Sequence, residues 1–282
     1  MRVLSYSVGG DPFYGVVVDD GVVNARGRFG IKFPTLRSLL NADSGYSLND
    51  LEGKPPDHSF DEIDYDLPLP DSSKILCVGR NYRAYHEVQA DGEASFPSIF
   101  TRLAHSFAPH GAALRLSDTC PNLDYECELV AVIGKAGSSI SQEDALSHVM
   151  GYTIMNEGTV RKWEKRGTQN FPTKNFDDSG SIGPWLVTSD EIPDPSSLHI
   201  TTHRNGKVVQ DSGTDMMIFD ISYIISYISS FLTLVPGDMI ATGSPGGSIM
   251  GSKHPNWLKP GDQMSFSITK IGKLENSVSA SS

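Results

Sequence analysis

Short apolar runs broken by turn residues dominate the chain, and apolar residues at helical spacing are rare. Near the N-terminus, Gly15-Val16-Val17-Val18 and Gly21-Val22-Val23 flank Asp19-Asp20-Gly21, a pattern that predicts two strands joined by a hairpin turn. Residues 36–40 read as one short helix. Lys54-Pro55-Pro56-Asp57 and the polar stretch 61–70 read as a linker, so residues 1–70 form a small N-terminal unit ahead of a larger one over 71–282.

Beyond residue 72 the signals sharpen. Residues 74–79 predict a short buried strand ending at Gly79, and residues 126–133 a longer one closed by Gly134. Ser141 and Asp144 give an S-x-x-D capping box ahead of Ala145, Leu146, Val149 and Met150, which predicts a helix stopping at Gly151. Residues 152–155 resume as a strand, and Asn205-Gly206 between two strand-like runs is a strong hairpin signal. Asp220 is placed to cap a helix carrying Ile221, Ile224, Ile225, Ile228 and Phe231, and Pro-Gly-Asp turns at Pro236 and Pro260 each lead into a strand. Many strands, few helices and no strict βα alternation predict a β-rich α+β fold rather than a Rossmann sheet or a TIM barrel.

Composition narrows the function. Apolar residues make up 38% of the 282 positions, enough for a real core. The formal net charge of -11 and a pI near 5.1 argue against partners bound through nucleic-acid phosphates or an anionic membrane surface. No run reaches the length of a membrane span, and the N-terminus carries no apolar signal segment. Cys77, Cys120 and Cys127 fit neither a metal spacing nor a disulfide framework, so a reducing, cytoplasmic setting is expected.

Candidate chemistry concentrates in Asp124-Tyr125-Glu126-Cys127-Glu128, because alternate strand residues share a face and bring Glu126 and Glu128 side by side. Two like charges at the head of an apolar face repel and lose solvation. Either they are a solvated strand end or a hard cation offsets them, and all-oxygen ligation favours Mg²⁺, Mn²⁺ or Ca²⁺ over zinc. Glu157, at the exit of the next strand, could complete such a set, or be a loop acid. Lys174 is either an electrostatic clamp for a developing oxyanion or a surface lysine. His86 beside Glu87 is either a general base with its partner or a structural pair. Thr242-Gly243-Ser244-Pro245-Gly246-Gly247 ends another strand with a donor-rich turn suited to an anion, without the pattern of a nucleotide loop.

The ordered set Gly79-x-Asn81-Tyr82, Asp124-Tyr125-Glu126-x-Glu128-Leu129, Gly151-Tyr152-Thr153, Asn156-Glu157, Arg161, Lys174-x-Phe176, Gly183-Pro184-Trp185, Asn205-Gly206 and Thr242-Gly243-Ser244-Pro245 resembles the fumarylacetoacetate hydrolase family from about residue 72 to 278. The resemblance implies a mixed β-sandwich roll, a small N-terminal domain over 1–70, a homodimer, and a Mg²⁺, Mn²⁺ or Ca²⁺ site acting on a small oxo-acid or diketone. It implies Glu126, Glu128 and Glu157 as metal ligands and Lys174 as the lysine that steadies an enolate. It also implies Tyr82, Arg83, Arg161, Glu164, Thr242 and Gly243 as substrate contacts. Three departures stand out. Glu157 occupies a position usually held by aspartate. The family histidine would fall on Tyr85, with His86 following, and a helix turns roughly 100° per residue. The family's catalytic glutamate would fall on Val88, while Glu87 adjoins His86.

These readings lead first to metal-dependent hydrolysis of a C–C bond in a β-diketo or acylpyruvate-like acid. A water activated by His86 with Glu87 would attack the carbonyl, and the departing carbanion would be held as a metal-bound enolate facing Lys174. The alternatives are a decarboxylase or tautomerase of a β-oxo acid on the same site, including in a specialised biosynthetic role, and a non-catalytic binding protein on the same fold.

Overall fold

The structure is a computed structural model that describes residues 1–30, 32–41, 47–83, 95–116 and 122–280. The N-terminal strands are β1 (Arg2–Val8), β2 (Asp11–Val18), β3 (Gly21–Asn24), β4 (His58–Ser59) and β5 (Asp64–Tyr65), with helices α1 (Ala25–Phe29) and α2 (Leu36–Leu40). Then follow β6 (Ile75–Gly79), β7 (Ser98–Arg102), β8 (Phe107–Ala108), β9 (Leu114–Leu116), β10 (Leu123–Asp124), β11 (Cys127–Ile133), β12 (Val149–Asn156) and β13 (Thr159–Val160). The remainder is helix α3 (Phe171–Lys174), β14 (Gly180–Thr188), β15 (His199–Arg204), β16 (Lys207–Gly213), helix α4 (Ile221–Ser229), β17 (Met239–Ala241), β18 (Gln263–Ile268) and β19 (Gly272–Ala280). This is the β-rich α+β arrangement that the sequence pattern predicts.

Twelve strands form one sheet whose main order is β4-β3-β2-β1-β14-β12-β11-β17-β6-β7, and five form a second, β16-β15-β18-β19-β9. The N-terminal strands join the large sheet through β1, which runs antiparallel to β14 with Arg2 opposite Val187 and Val3 opposite Leu186. Strand β11 shows why its sequence is continuously apolar. Leu129, Ala131 and Ile133 enter one core with Ile224, Ile225 and Ile228 of α4 and Phe266 and Leu274 of the second sheet. Val130 and Val132 enter another core, shared with Tyr14, Leu36 and Leu51 of the N-terminal segment. Both faces of the strand are covered, so neither alternates with polar residues.

Local signals are realised where tertiary pairing agrees with them. Asn205 and Gly206 both have positive φ, as the predicted two-residue hairpin requires. The Asp220 carboxylate accepts from the Tyr223 N–H and caps α4, whereas Phe231 lies beyond the helix and is exposed, not part of its buried face. The capping contacts between Ser141 and Asp144 also form, but the expected helix is a single 3₁₀ turn, Ala145–His148. Pairing of Val149 with Ile133 draws the chain into β12 at once. Gly151 is therefore not a helix cap. It lies in β12, where a Cβ would run into the Val187 carbonyl oxygen, so its lack of a side chain lets β12 and β14 approach.

Candidate active site

Topology brings several strand ends to one place. The parallel strands β6 and β17 finish at Gly79 and Ala241, the antiparallel β11 begins beside them, and β12 ends at Asn156 opposite Cys127. Glu126 precedes β11, Glu128 is its second residue, and Glu157 follows β12 directly. The Glu157 N–H donates to the Glu126 carbonyl at 2.7 Å, which ties the two acids' backbones together. Lys174 closes α3, a helix fastened to β7 by Asn175, whose side chain accepts from the Leu103 N–H and donates to the Thr101 carbonyl. The Arg161 and Glu164 side chains come from the 3₁₀ turn Arg161–Arg166.

These residues border a cavity of about 260 Å³, together with Val78, Gly79, Arg80, Phe100, Asn170, Ser244 and Met250. Lys174 Nζ lies 2.5 Å from Glu126 Oε2 and 2.6 Å from Glu157 Oε2. Arg161 reaches three acids: Nε is 2.9 Å from Asp124, Nη2 2.8 Å from Glu126 and Nη1 2.6 Å from Glu164. Thr159 Oγ1 also donates to Glu126. Burial alone would raise the Glu126 carboxyl, but Arg161 and Lys174 outweigh it and hold it below the usual carboxylate range. Burial would likewise depress the Lys174 ammonium, yet Glu126 and Glu157 keep it charged and push it up. Glu128 is 1% exposed, and its carboxylate receives the Gly243 N–H at 2.8 Å. Burial and the neighbouring Glu157 charge push its carboxyl well up, despite Lys174.

Among the described residues no three ligand side chains form a ready-made metal cage; the Lys174 ammonium stands between Glu126 and Glu157. The donors nonetheless suit a hard divalent ion. They are all carboxylate oxygens, and Glu157 Oε1 is buried without a hydrogen-bond partner. Crowding of Glu128 by two like charges is the imbalance that such an ion offsets.

Of the other residues singled out from the sequence, Tyr82 is fully buried with its hydroxyl unpaired, and Thr242 is buried with Oγ1 donating to the Leu129 carbonyl. Gly243 acts through its N–H on Glu128, and Arg83 is exposed. His86 and Glu87 lie outside the described residues. Two residues gained no role from sequence reasoning. Asp124 accepts from Arg161 and from the Ile249 and Met250 N–H groups, and Asn81 joins three loops through its buried amide. Both stand within the motifs Asp124-Tyr125-Glu126 and Gly79-x-Asn81-Tyr82, which was the available signal.

The fumarylacetoacetate (FAA) hydrolase C-terminal family model matches residues 74–279. The chain is 39% identical over 226 residues to oxaloacetate tautomerase YisK of Bacillus subtilis, across 78% of this chain and 75% of that protein. It is 38% identical over 213 residues to the mitochondrial oxaloacetate tautomerase fahd2 of Xenopus laevis, across 75% of this chain and 67% of that one. Its fold is similar to a fumarylacetoacetate hydrolase from psychrophilic Exiguobacterium antarcticum, with a TM-score of 0.85 and 31% identity across 100% of both chains. With the carboxylate cluster at the converging strand ends and this match over most of its length, the chain belongs to the fumarylacetoacetate hydrolase family.

Proposed function

We propose that this protein is a divalent-cation-dependent tautomerase that interconverts the keto and enol forms of a small 2-oxo acid. The observation that carries this reading is the buried Lys174 ammonium, held between Glu126 and Glu157 on the cavity wall. Removing a proton from the carbon beside a carbonyl leaves negative charge on the carbonyl oxygen. A fixed positive group beside that oxygen lowers the barrier without reorganising in the transition state.

Glu126, Glu128 and Glu157 would hold the cation, which when bound supplies Lewis-acid polarisation of the substrate's oxygens. Arg161 fixes Glu126 and Asp124, the Gly243 N–H fixes Glu128, and Lys174 Nζ keeps its protons available to the substrate oxygen. In this reading the proton-abstracting group is His86 with Glu87, the acid/base pair that the sequence offers next to Tyr85, where the family histidine would fall.

Enolate stabilisation alone serves hydrolysis and decarboxylation equally well. Two relatives at 38–39% identity that are oxaloacetate tautomerases move the preference from C–C hydrolysis to the proton-transfer alternative. Similarity over the whole chain to a fumarylacetoacetate hydrolase supports hydrolysis as the second reading. Proton NMR of oxaloacetate in D₂O separates the two. Accelerated exchange at C3 with Mg²⁺, lost in Glu126→Gln, is the expected result. Cleavage of an acylpyruvate without accelerated exchange of oxaloacetate overturns the tautomerase.

A further inference from the structure

We infer that the 3₁₀ turn Arg161–Arg166 steers anionic substrates into the cavity, with Lys162 and Lys165 as the steering residues. This rests on the tautomerase reading above and deepens it, naming small anions, and dianions above monoanions, as the substrates of that site. Four of the chain's 23 lysines and arginines fall within these six positions, in a molecule of net charge -11. A 3₁₀ helix repeats every three residues, so its side chains form three rows. Arg161 and Glu164 share the row that borders the cavity and pair with each other at 2.6 Å. Trp163 and Arg166 share the second. There the guanidinium lies 3.7 Å from the indole centroid, and the indole meets the Phe176 ring edge-on at 5.2 Å. Phe176 follows Lys174 by two residues, so this row seats the turn beside the helix that carries Lys174. Lys162 and Lys165 make up the third row, and both are exposed.

The charges of the three rows are not alike. In the cavity row, Arg161 is matched by Asp124, Glu126 and Glu164. Lys162 and Lys165 pair with no acid among the described residues; the turn's one internal ion pair is Arg161 with Glu164. Side chains three apart on a 3₁₀ turn eclipse one another, so the two ammonium groups repel. Nothing in the turn offsets that repulsion, and the gain lies in the field the pair projects over the adjoining cavity. The net negative charge of the molecule repels an approaching anion, whereas a positive patch beside a low-dielectric cleft raises the anion's concentration at the mouth. The interaction energy of a dianion with that field is twice that of a monoanion, so its enrichment is the square. Neither lysine lines the cavity or touches the carboxylate cluster, so the pair acts on arrival of the substrate and not on the chemical step.

The test follows C3 exchange of oxaloacetate, a dianion, and 2-oxobutyrate, a monoanion of the same chain length, in D₂O with Mg²⁺ held constant. Wild type is compared with the double variant Lys162→Glu/Lys165→Glu at about 0.01 M and about 1 M ionic strength, where the Debye length is roughly 30 Å and 3 Å. At low salt the charge reversal is expected to raise KM by roughly tenfold for oxaloacetate and roughly threefold for 2-oxobutyrate, with kcat unchanged. At high salt both differences should shrink below about twofold. Lys162→Arg/Lys165→Arg, which keeps the charges, should match wild type at both salt concentrations. A rise in KM that salt does not remove, an equal rise for both acids, or a loss confined to kcat overturns the steering and leaves the tautomerase standing. A wild type that exchanges neither acid overturns both.

Discussion

At Lys174 the ammonium separates two buried carboxylates, so deleting it leaves like charges facing one another without a donor between them. Lys174→Met is expected to reduce turnover by about 10²–10³-fold, the usual loss for a donor aimed at a developing oxyanion. The same change should destabilise the cation-free protein by about 3–5 kcal/mol, as expected when one partner of a buried ion pair is removed. Steady-state rates and urea unfolding check the two effects separately. The acids at this site were legible because E-x-E spacing on a strand has a geometric meaning that needs no other part of the chain. Asp124 was not. Its role depends on Arg161, 37 residues away, and on Ile249, 125 residues away, and no local pattern encodes such partners.

Among the elements, β18 shows how a turn residue can anchor a strand. Asp262, in the Pro260-Gly261-Asp262 turn, accepts from Asn205 Nδ2, from the Lys259 N–H and from Arg204. Burial pushes its carboxyl up, but these donors outweigh burial and hold it below the usual range. A carboxyl lowered in the folded state adds stability that is complete above its unfolded pKa of about 3.9. That contribution is lost as pH falls through the folded value. Asp262→Asn is therefore expected to cost about 1.5–3 kcal/mol at neutral pH, the range for hydrogen bonds to a charged group. The gap to wild type should narrow below about pH 4, as urea midpoints at pH 7 and pH 3 would reveal; a gap that persists unchanged at pH 3 contradicts it. Turns of this kind were readable because their residues act on near neighbours. The helix expected after Ser141 was not realised, since pairing of β12 with β11 and β14 outweighs a short run's own preference. Gly151 looked like a cap only because Val187, which it abuts, is distant in sequence.

For the molecule as a whole, a bound ion and a stable fold are linked, because an ion that binds only the folded chain shifts its unfolding. Saturating Mg²⁺ at about a hundred times its dissociation constant should add about 2.7 kcal/mol and raise the melting temperature by several degrees. Glu128→Gln should remove most of that rise, and calorimetry with and without EDTA measures it. A rise that survives in this variant would exclude Glu128 from the ion's shell. The β-rich class was legible from strand and turn signals, but the sheet order was not. That β6 lies parallel beside β17, more than 150 residues later, follows from burial of both faces rather than from any run of residues. That adjacency, fastened by the Asn81 amide, bears on how the scaffold can be re-engineered. The segments at residues 81, 219 and 242 share one buried side chain's hydrogen bonds. A graft that replaces any one of them with a foreign loop strands polar groups in the interior, so new specificities are best transplanted with all three segments moved as a set.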